Sequence, residues 1–390
     1  MKNLKLILLT SSLLMVGSQL ISPQSKTGDL PVIDFSKVYP KKEIRLQDIA
    51  DIEYIALETT DDVLLSDKAT LSYVSDKYIL LHEPLRGDIY VFHRTGKIYS
   101  HFNHKGQSGR EYAWMESAGT VFDEKNEEIF VCSLSIQVYS LHGEYKRTLK
   151  HNTIENHSKV FNFDDEALFV YDDVIVDPYI NIETKTKPYR LISKKDGSMI
   201  SVLDIHLPKR YSARRVQMSE NNRYGIPLIY FPSSMCYGQD FMIADISSDT
   251  LYLLTQNRKF TPLLIRKPSV HASEPRVIWT THLTTDKFVI IGKVLLDFNS
   301  KGGRIPNWMY EFETGEISEV SFLDLDAEFT KRRWGPGSSP AIAKNTTAGL
   351  IWPTSMISAY KMKQLKGDVE KFAMTLIEDD NPVVRIIKFK

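Results

Sequence analysis

The chain carries two cysteines among 390 residues, no excess of charge of either sign, and no apolar run long enough to cross a bilayer. Each shortage removes a class of protein. Two thiols cannot staple a disulfide scaffold, and Cys132 and Cys236 both lie in apolar strand-like text (Phe-Val-Cys and Met-Cys-Tyr), which favours buried thiols over a bridge. Stability then has to come from a packed core. With 49 basic against 49 acidic residues there is no basic stripe of the kind that grips nucleic acid. Lys331, Arg332 and Arg333, before Trp334, form the densest basic group and read as a solvated loop. Metal motifs are missing as well: there is no compact His/Cys spacing of the zinc type and no EF-hand loop.

The N-terminal apolar run, Leu6 to Val16, follows Lys2 and Lys5 and precedes Gly17 and Ser18. It falls short of the roughly 20 residues of a membrane span and has the charged, apolar, small-residue order of a secretory signal peptide. Residues 1–22 are accordingly expected to be removed, leaving residues 23–390 as one exported domain, periplasmic or secreted. No cysteine follows the run to take a lipid anchor, and no transmembrane segment is expected elsewhere. A content of 42% hydrophobic and 25% charged residues is that of a folded protein.

What the chain does have is a repeat. Ile89, Val91, Phe92, Gly96, Lys97 and Ile98 align with Ile136, Val138, Tyr139, Gly143, Glu144 and Tyr145. The frame returns at Ile192 with Gly197, at Leu253 with Lys259, and at Tyr310 with Gly315, Glu316 and Ile317. Period-two strands around turns at 96, 143, 197, 258 and 315 are the pattern of β-propeller blades. Five turns give five blades. A sixth comes from the chain ends, where Ile52, Tyr54, Ile55 and Leu57 make one apolar strand and Val383, Val384, Ile386, Ile387 and Phe389 another. Joining them in one composite blade closes the ring and removes open sheet edges. The fold class is therefore all-β, a six-bladed propeller with a composite closing blade. Met374 to Ile377 reads as the hairpin partner of the last strand, Ser355 to Phe372 as a short helix, and Lys331 to Pro353 as a long loop.

The segments Pro31-Val-Ile-Asp, Tyr39-Pro-Lys-Lys-Glu, Asp51-Ile-Glu-Tyr-Ile-Ala-Leu-Glu-Thr-Thr-Asp and Asp379-Asp-Asn-Pro-Val-Val-Arg-Ile-Ile-Lys-Phe resemble the exported six-bladed propellers of Bacteroides-type bacteria, relatives of NHL-repeat propellers. The likeness covers nearly the whole mature chain. It implies a fold and an exported location, and no particular activity. Those propellers often carry a loop Gly-x-Gly-Pro-Gly-Glu-Tyr, and Gly106-Gln-Ser-Gly-Arg-Glu-Tyr112 matches it at Gly106, Glu111 and Tyr112. The glycines there are expected to permit positive φ where one blade crosses to the next. Asp249-Thr-Leu also matches the short O-glycosylation pattern of such exported proteins.

Candidate chemistry is sparse. Ser108 lies in Gly-Gln-Ser-Gly-Arg, close to a nucleophile elbow, but Arg110 replaces the second glycine and no strand-to-helix context exists. Adjacent aspartates such as Asp172-Asp173 are not held across a cleft, as glycoside hydrolysis needs. His101 and His104 are separated by two residues, a spacing that points them to opposite faces of a strand unless a turn brings them together. Aromatic groups are more suggestive. Tyr112 and Trp114 follow the glycine-rich loop, while Trp279, Trp308, Trp334 and Trp352 fall in or near inter-strand segments, with Trp308 expected in the core. Exposed rings take the apolar faces of sugars or peptide side chains, with charged neighbours fixing orientation. His104, Arg110, Tyr112, Trp114 and Trp334 are thus the candidate ligand-binding residues. The function expected is an exported, non-enzymatic platform for a glycan, peptide or envelope protein, with no cofactor and no nucleic acid. The alternative is a propeller lyase or lactonase holding a divalent metal, calcium or zinc, in its central channel.

Overall fold

A computed structural model describes residues 30–115, 119–133, 135–149, 157–172, 187–207, 209–211, 217–218, 224–225, 234–237, 240–272, 276–296, 307–327, 341–343 and 345–390. Residues 1–22, read as a signal peptide, and the basic group at 331–333 with Trp334 lie outside the described residues.

The chain opens with three strands that sit on the periphery, β1 (Val32–Asp34), β2 (Lys41–Arg45) and β3 (Ala50–Ala56), the last two joined by the one-turn α1 (Leu46–Ile49). Blade one follows as β4 (Thr70–Val74), β5 (Tyr78–Glu83), β6 (Asp88–His93) and β7 (Ile98–Asn103). Blade two is β8 (Thr120–Asp123), β9 (Glu128–Cys132), β10 (Ile136–Ser140) and β11 (Tyr145–Leu149). Blade three is β12 (His157–Asn162), β13 (Ala167–Asp172), β14 (Tyr189–Ser193) and β15 (Met199–Val202). A small hairpin, β16 (Gln217–Met218) with β17 (Tyr224–Gly225), precedes blade four: β18 (Ser234–Tyr237), β19 (Asp240–Ile243), β20 (Thr250–Leu254) and β21 (Phe260–Lys267). Blade five is β22 (Arg276–Thr284), β23 (Phe288–Leu296), β24 (Asn307–Glu311) and β25 (Ile317–Leu323).

The sixth blade closes the ring. It runs β26 (Ala341–Ala343), β27 (Thr346–Ile351), β28 (Val383–Phe389) and then β3 from the other end of the chain, with Arg385 opposite Tyr54 and Ile387 opposite Ile52. The composite blade expected from the two termini is present. Blades four and five each gain a fifth, outermost strand, β1 alongside β21 and β2 alongside β25, both parallel.

Three local readings need correction. The stretch Met374 to Ile377 is not a strand: it is the turn after α3, and Met374 and Ile377 are both 63% exposed, whereas a strand inside the blade buries its apolar side chains. The true hairpin partner of β28 is β27, which lies inside the segment read as a loop. Its Gly/Pro/Ser/Thr-rich lead-in hid a strand whose Thr347 and Ala348 are almost fully buried. The single helix expected is two, α2 (Pro353–Lys361) and α3 (Gly367–Ala373), broken where Lys363 and Gly367 take positive φ of 57° and 65°. Together they bury Met356, Ala359, Val369 and Ala373 against Ala327, Leu365 and Val383.

Turn chemistry explains the repeat. The hairpin between third and fourth strands places Gly96, Gly143, Gly197 and Gly315 at φ of 72° to 86°, and in blade four the same position is Arg258 at 61°. That left-handed conformation is what made glycine recur and gave the frame its legibility. Between blades, continuous apolar layers form from both sheet faces, for example Leu80, Val91, Phe122, Ile129 and Val131 between blades one and two. Cys132 is buried in the next layer with Phe130 and Val138. Trp308 packs beside Phe35 and Tyr39 at ring separations of 4.9 and 5.5 Å, the core role expected for it, and Trp279 lies in β22, wholly buried, rather than between strands.

Candidate functional site

In an antiparallel four-stranded blade, the first and third hairpins leave from one end of the strands, and the second hairpin and the link to the next blade leave from the other. The two ends differ sharply here. At the first, no connection exceeds the five residues of 194–198, 255–259 or 312–316. At the second lie all the longer ones, including 57–69, 104–119, 203–233, 324–340 and 352–382. In a propeller this makes one face of tight turns and one face of elaborated loops.

The glycine-rich connection belongs to the elaborated face and is tied down between blades one and two. Tyr112 is 0% exposed, its hydroxyl donates to Gly87 O at 2.6 Å and accepts from His104 N at 2.9 Å. Burial pushes this phenol's pKa well above its ordinary value. His104 Nε2 lies 2.7 Å from Gly143 O, and its ring stacks on Tyr139 at 5.1 Å. Tyr139 in turn donates its hydroxyl to Arg110 O at 2.6 Å, and the Arg110 guanidinium lies 5.5 Å over the Tyr145 ring. The structure thus gathers His104, Arg110 and Tyr112 into one inter-blade joint, with Trp114, 43% exposed, two residues beyond it. Of these side chains Tyr112 presents no surface. Trp334 lies outside the described residues.

Glycine does not serve positive φ in this loop, contrary to expectation: neither Gly106 nor Gly109 adopts it. Gly106 leaves the space that the Glu111 carboxylate fills, since a Cβ there would stand 2.0 Å from Glu111 Oε2. That carboxylate accepts from Ser108 N at 2.8 Å, and the backbone hydrogen bond holds its pKa below the usual range. Ser108 is therefore an exposed turn residue with its own carboxylate cap. His101 points elsewhere, onto Asp88 Oδ1 at 2.9 Å and flat against Tyr90, so the two nearby histidines face different partners. Thr250 opens β20 opposite Ile265, and Asp249 accepts from Val270 N at 2.6 Å.

Sequence reasoning missed a second group on the elaborated side. Around Asn381, 2% exposed, the approach to β28 meets the connection 57–69. Its Oδ1 accepts from Leu65 N at 2.8 Å, while its Nδ2 donates to Glu58 O at 2.8 Å and Val63 O at 2.7 Å. Asn381 N donates to Thr59 Oγ1 at 2.8 Å. Nearby, Arg86 joins the buried carboxylates of Glu83 and Asp88 at 3.4 and 3.2 Å and donates to Leu64 O at 3.3 Å. This scaffold fixes Leu64, Leu85 and the turn from Ile377 to Asp380, whose apolar side chains are 48%, 71% and 63% exposed. Met362, Met374 and Leu325 add further exposed apolar surface on connections of the same face. No signal in a single segment could show this, because the contributing residues are over 300 positions apart in the chain.

A third group sits at the inner strands. Ser72 is the extra residue of a bulge in β4, with its Oγ 2.6 Å from His82 Nδ1 and 2.8 Å from Thr120 Oγ1. His82 packs against Gly119, whose positive φ and missing Cβ make room for the ring. His282, the bulged residue of β22, packs on Gly292 in the same manner. Burial pushes both imidazoles down to about 4, so both are neutral at pH 7. Among the described residues no three His, Cys, Asp or Glu side chains converge as a metal site, and no helix is long and apolar enough to cross a membrane.

Comparison with solved structures supports the fold. An exported-type protein of Bacteroides fragilis superposes with a TM-score of 0.62 at 11% identity, covering 92% of this chain and 99% of its own. A member of the DUF4221 family from Bacteroides vulgatus reaches 0.48 at 11% identity over 88% of this chain and 99% of its own. Virginiamycin B lyase from Staphylococcus aureus reaches 0.33 at 12% over 68% and 98%, too distant to carry any argument about chemistry. Comparison with curated proteins gives no match. The family model of the domain of unknown function DUF4934 matches residues 30–388, nearly the whole folded region, and the chain belongs to that family.

Proposed function

We infer that this protein is an exported, non-enzymatic binding platform whose elaborated face takes an extended peptide or a loop of an envelope protein. The observation that carries this reading is the rim of blades six and one. There Leu64, Leu85 and Ile377 stand exposed on segments that the hydrogen bonds of Asn381, Arg86 and Asp380 tie down. Exposed aliphatic side chains on a preorganised surface gain from covering and lose little entropy when covered. Aliphatic groups suit peptide side chains better than the ring faces of sugars, which aromatic surfaces recognise. The joint that holds His104, Arg110 and Trp114 supplies a second, more polar contact region at the boundary with blade two.

The test is binding with the fold monitored independently. A protein beginning at Pro23 is titrated with apolar peptides, oligosaccharides and divalent metals while its thermal midpoint is followed. A ligand at about a hundred times its Kd adds about 2.7 kcal/mol, a shift of about 3 °C for a chain of this size. A peptide-induced shift that Leu64→Asp with Leu85→Asp abolishes, at unchanged unliganded midpoint, supports the platform. Loss of stability with EDTA, restored by calcium or zinc, would instead support the metal-dependent lyase or lactonase. A shift with sugars alone would move the ligand class to glycans.

A further inference from the structure

The exposed aliphatic group at the rim of blades six and one has an electrostatic setting of its own. Asn381 grips both ends of a turn, donating its N–H to Thr59 Oγ1 and its Nδ2 to Val63 O, and that turn carries Asp61 and Asp62. Asp379 lies two residues before the same asparagine. One buried amide thus draws two acidic turns together, with Leu64 following the first and Ile377 opening the second.

The basic groups tied to these segments already have carboxylate partners. Lys68 pairs with Asp67 at 2.8 Å, Arg86 with Glu83 and Asp88 at 3.4 and 3.2 Å, and Lys361 with Glu378 at 3.6 Å. Asp380 accepts from Ile377 N at 2.9 Å. Left over are Asp61, Asp62 and Asp379, all exposed and without an ion pair or a side-chain hydrogen bond among the described residues. At Leu85 the sign changes, because Lys105 Nζ donates to Leu85 O at 2.6 Å. The apolar surface is therefore acidic beside Leu64 and Ile377 and basic beside Leu85. Like charges gathered without a counter-charge repel one another, and a cation set among them relieves that repulsion.

We propose that the partner segment covering Leu64, Leu85 and Ile377 carries Lys or Arg beside its apolar residues, at the end that meets Asp61, Asp62 and Asp379. This rests on the binding platform inferred above and adds the partner's charge pattern to it. Covering the aliphatic side chains supplies affinity. The unpaired carboxylates select the partner, set its direction along the rim and speed its approach. An acidic segment is repelled by the same three groups.

Fluorescent peptides that share a Leu-Val-Leu core and are flanked by lysines, serines or glutamates provide the test. Each is titrated by anisotropy against the protein beginning at Pro23 and against its variant Asp61→Asn with Asp62→Asn and Asp379→Asn. The three side chains hold no partner, so the thermal midpoint of the variant should match that of the parent. The lysine peptide is expected to bind about tenfold more tightly than the serine peptide in about 50 mM salt, and to lose that advantage in about 500 mM salt and in the variant. Equal binding of all three peptides would overturn the charge pattern and leave the apolar platform standing. Tighter binding of the glutamate peptide would overturn it as well, and so would a lysine preference that survives in the variant. Binding of none of the peptides would overturn the platform itself, and this inference with it.

Discussion

Asn381 and Leu65 are joined by a 2.8 Å hydrogen bond from Leu65 N to Asn381 Oδ1, across 316 positions of sequence. With its two Nδ2 bonds to Glu58 O and Val63 O, the amide spends its donors and an acceptor on buried backbone groups. It fastens the connection between β3 and β4 to the approach of β28, and so ties the closing blade to blade one. Asn381→Ala leaves these backbone groups unpaired and should cost about 3 kcal/mol. Asn381→Asp keeps the acceptor but sets a carboxylate oxygen against two carbonyls, and should cost at least as much. Urea unfolding of each variant measures this, and a loss below 1 kcal/mol for both would show that the latch contributes little.

Two glycines at the same turn position separate backbone conformation from close approach. Gly96 and Gly315 both have positive φ, 86° and 72°. A Cβ on Gly315 would meet nothing within 4 Å, whereas on Gly96 it would stand 2.0 Å from Ala56 O, where β3 passes. Gly315→Ala should therefore cost about 1 kcal/mol, the left-handed penalty alone. Gly96→Ala should cost at least twice that, because backbone of the closing strand has to shift. Equal costs would remove the steric part of the argument.

Blades two and three are joined by a buried ion pair, Lys194 Nζ to Asp123 Oδ2 at 2.6 Å, with side-chain exposures of 6% and 3%. Burial alone would raise the Asp123 pKa, but hydrogen bonds from Lys194 and Asn126 outweigh it and hold the carboxyl low. Lys194→Met strands a buried carboxylate and should cost about 3–5 kcal/mol. Combining it with Asp123→Asn should recover part of that loss, and a double-mutant cycle by chemical denaturation reads the coupling. Additive losses would mean that the pair is not coupled.

How much of this was legible follows from which interactions are local. The hairpin glycines repeat within each blade, so Gly96, Gly143, Gly197 and Gly315 could be aligned in one dimension, and even Arg258 held the frame through its neighbours. Closure was legible because Ile52 to Leu57 and Val383 to Phe389 are apolar strands without a local partner. The pairing of β28 with β27 was not, since α2 and α3 intervene and the exposed Met374 and Ile377 imitate a strand in composition. The candidate surfaces were least legible. Tyr112 looked like a ligand residue because an aromatic after a glycine loop is ambiguous between plug and platform, and its 0% exposure settles it as a plug. Leu64, Leu85 and Ile377 carry no motif at all, and it is the hydrogen bonds of Asn381 and Arg86 that bring their segments together.

The two buried histidines give a prediction in pH. His82 and His282 lie near 4 in the folded protein because burial disfavours the imidazolium, against an ordinary value of 6.5. The unfolded chain thus takes up two more protons as pH falls below 6.5. Stability is level above that value with respect to these groups, declines between pH 6.5 and 4, and levels again below, by about 3 kcal/mol for each histidine over the full window. His82→Gln should flatten half of this dependence while retaining a hydrogen-bond partner for Ser72 and Thr120. Urea midpoints at pH 7.5, 6, 5 and 4 for the wild type and the variant provide the check. A wild-type profile flat from pH 7 to 4.5 would show that neither imidazole is held neutral by the fold, and a variant profile identical to a sloping wild-type one would show that His82 is not.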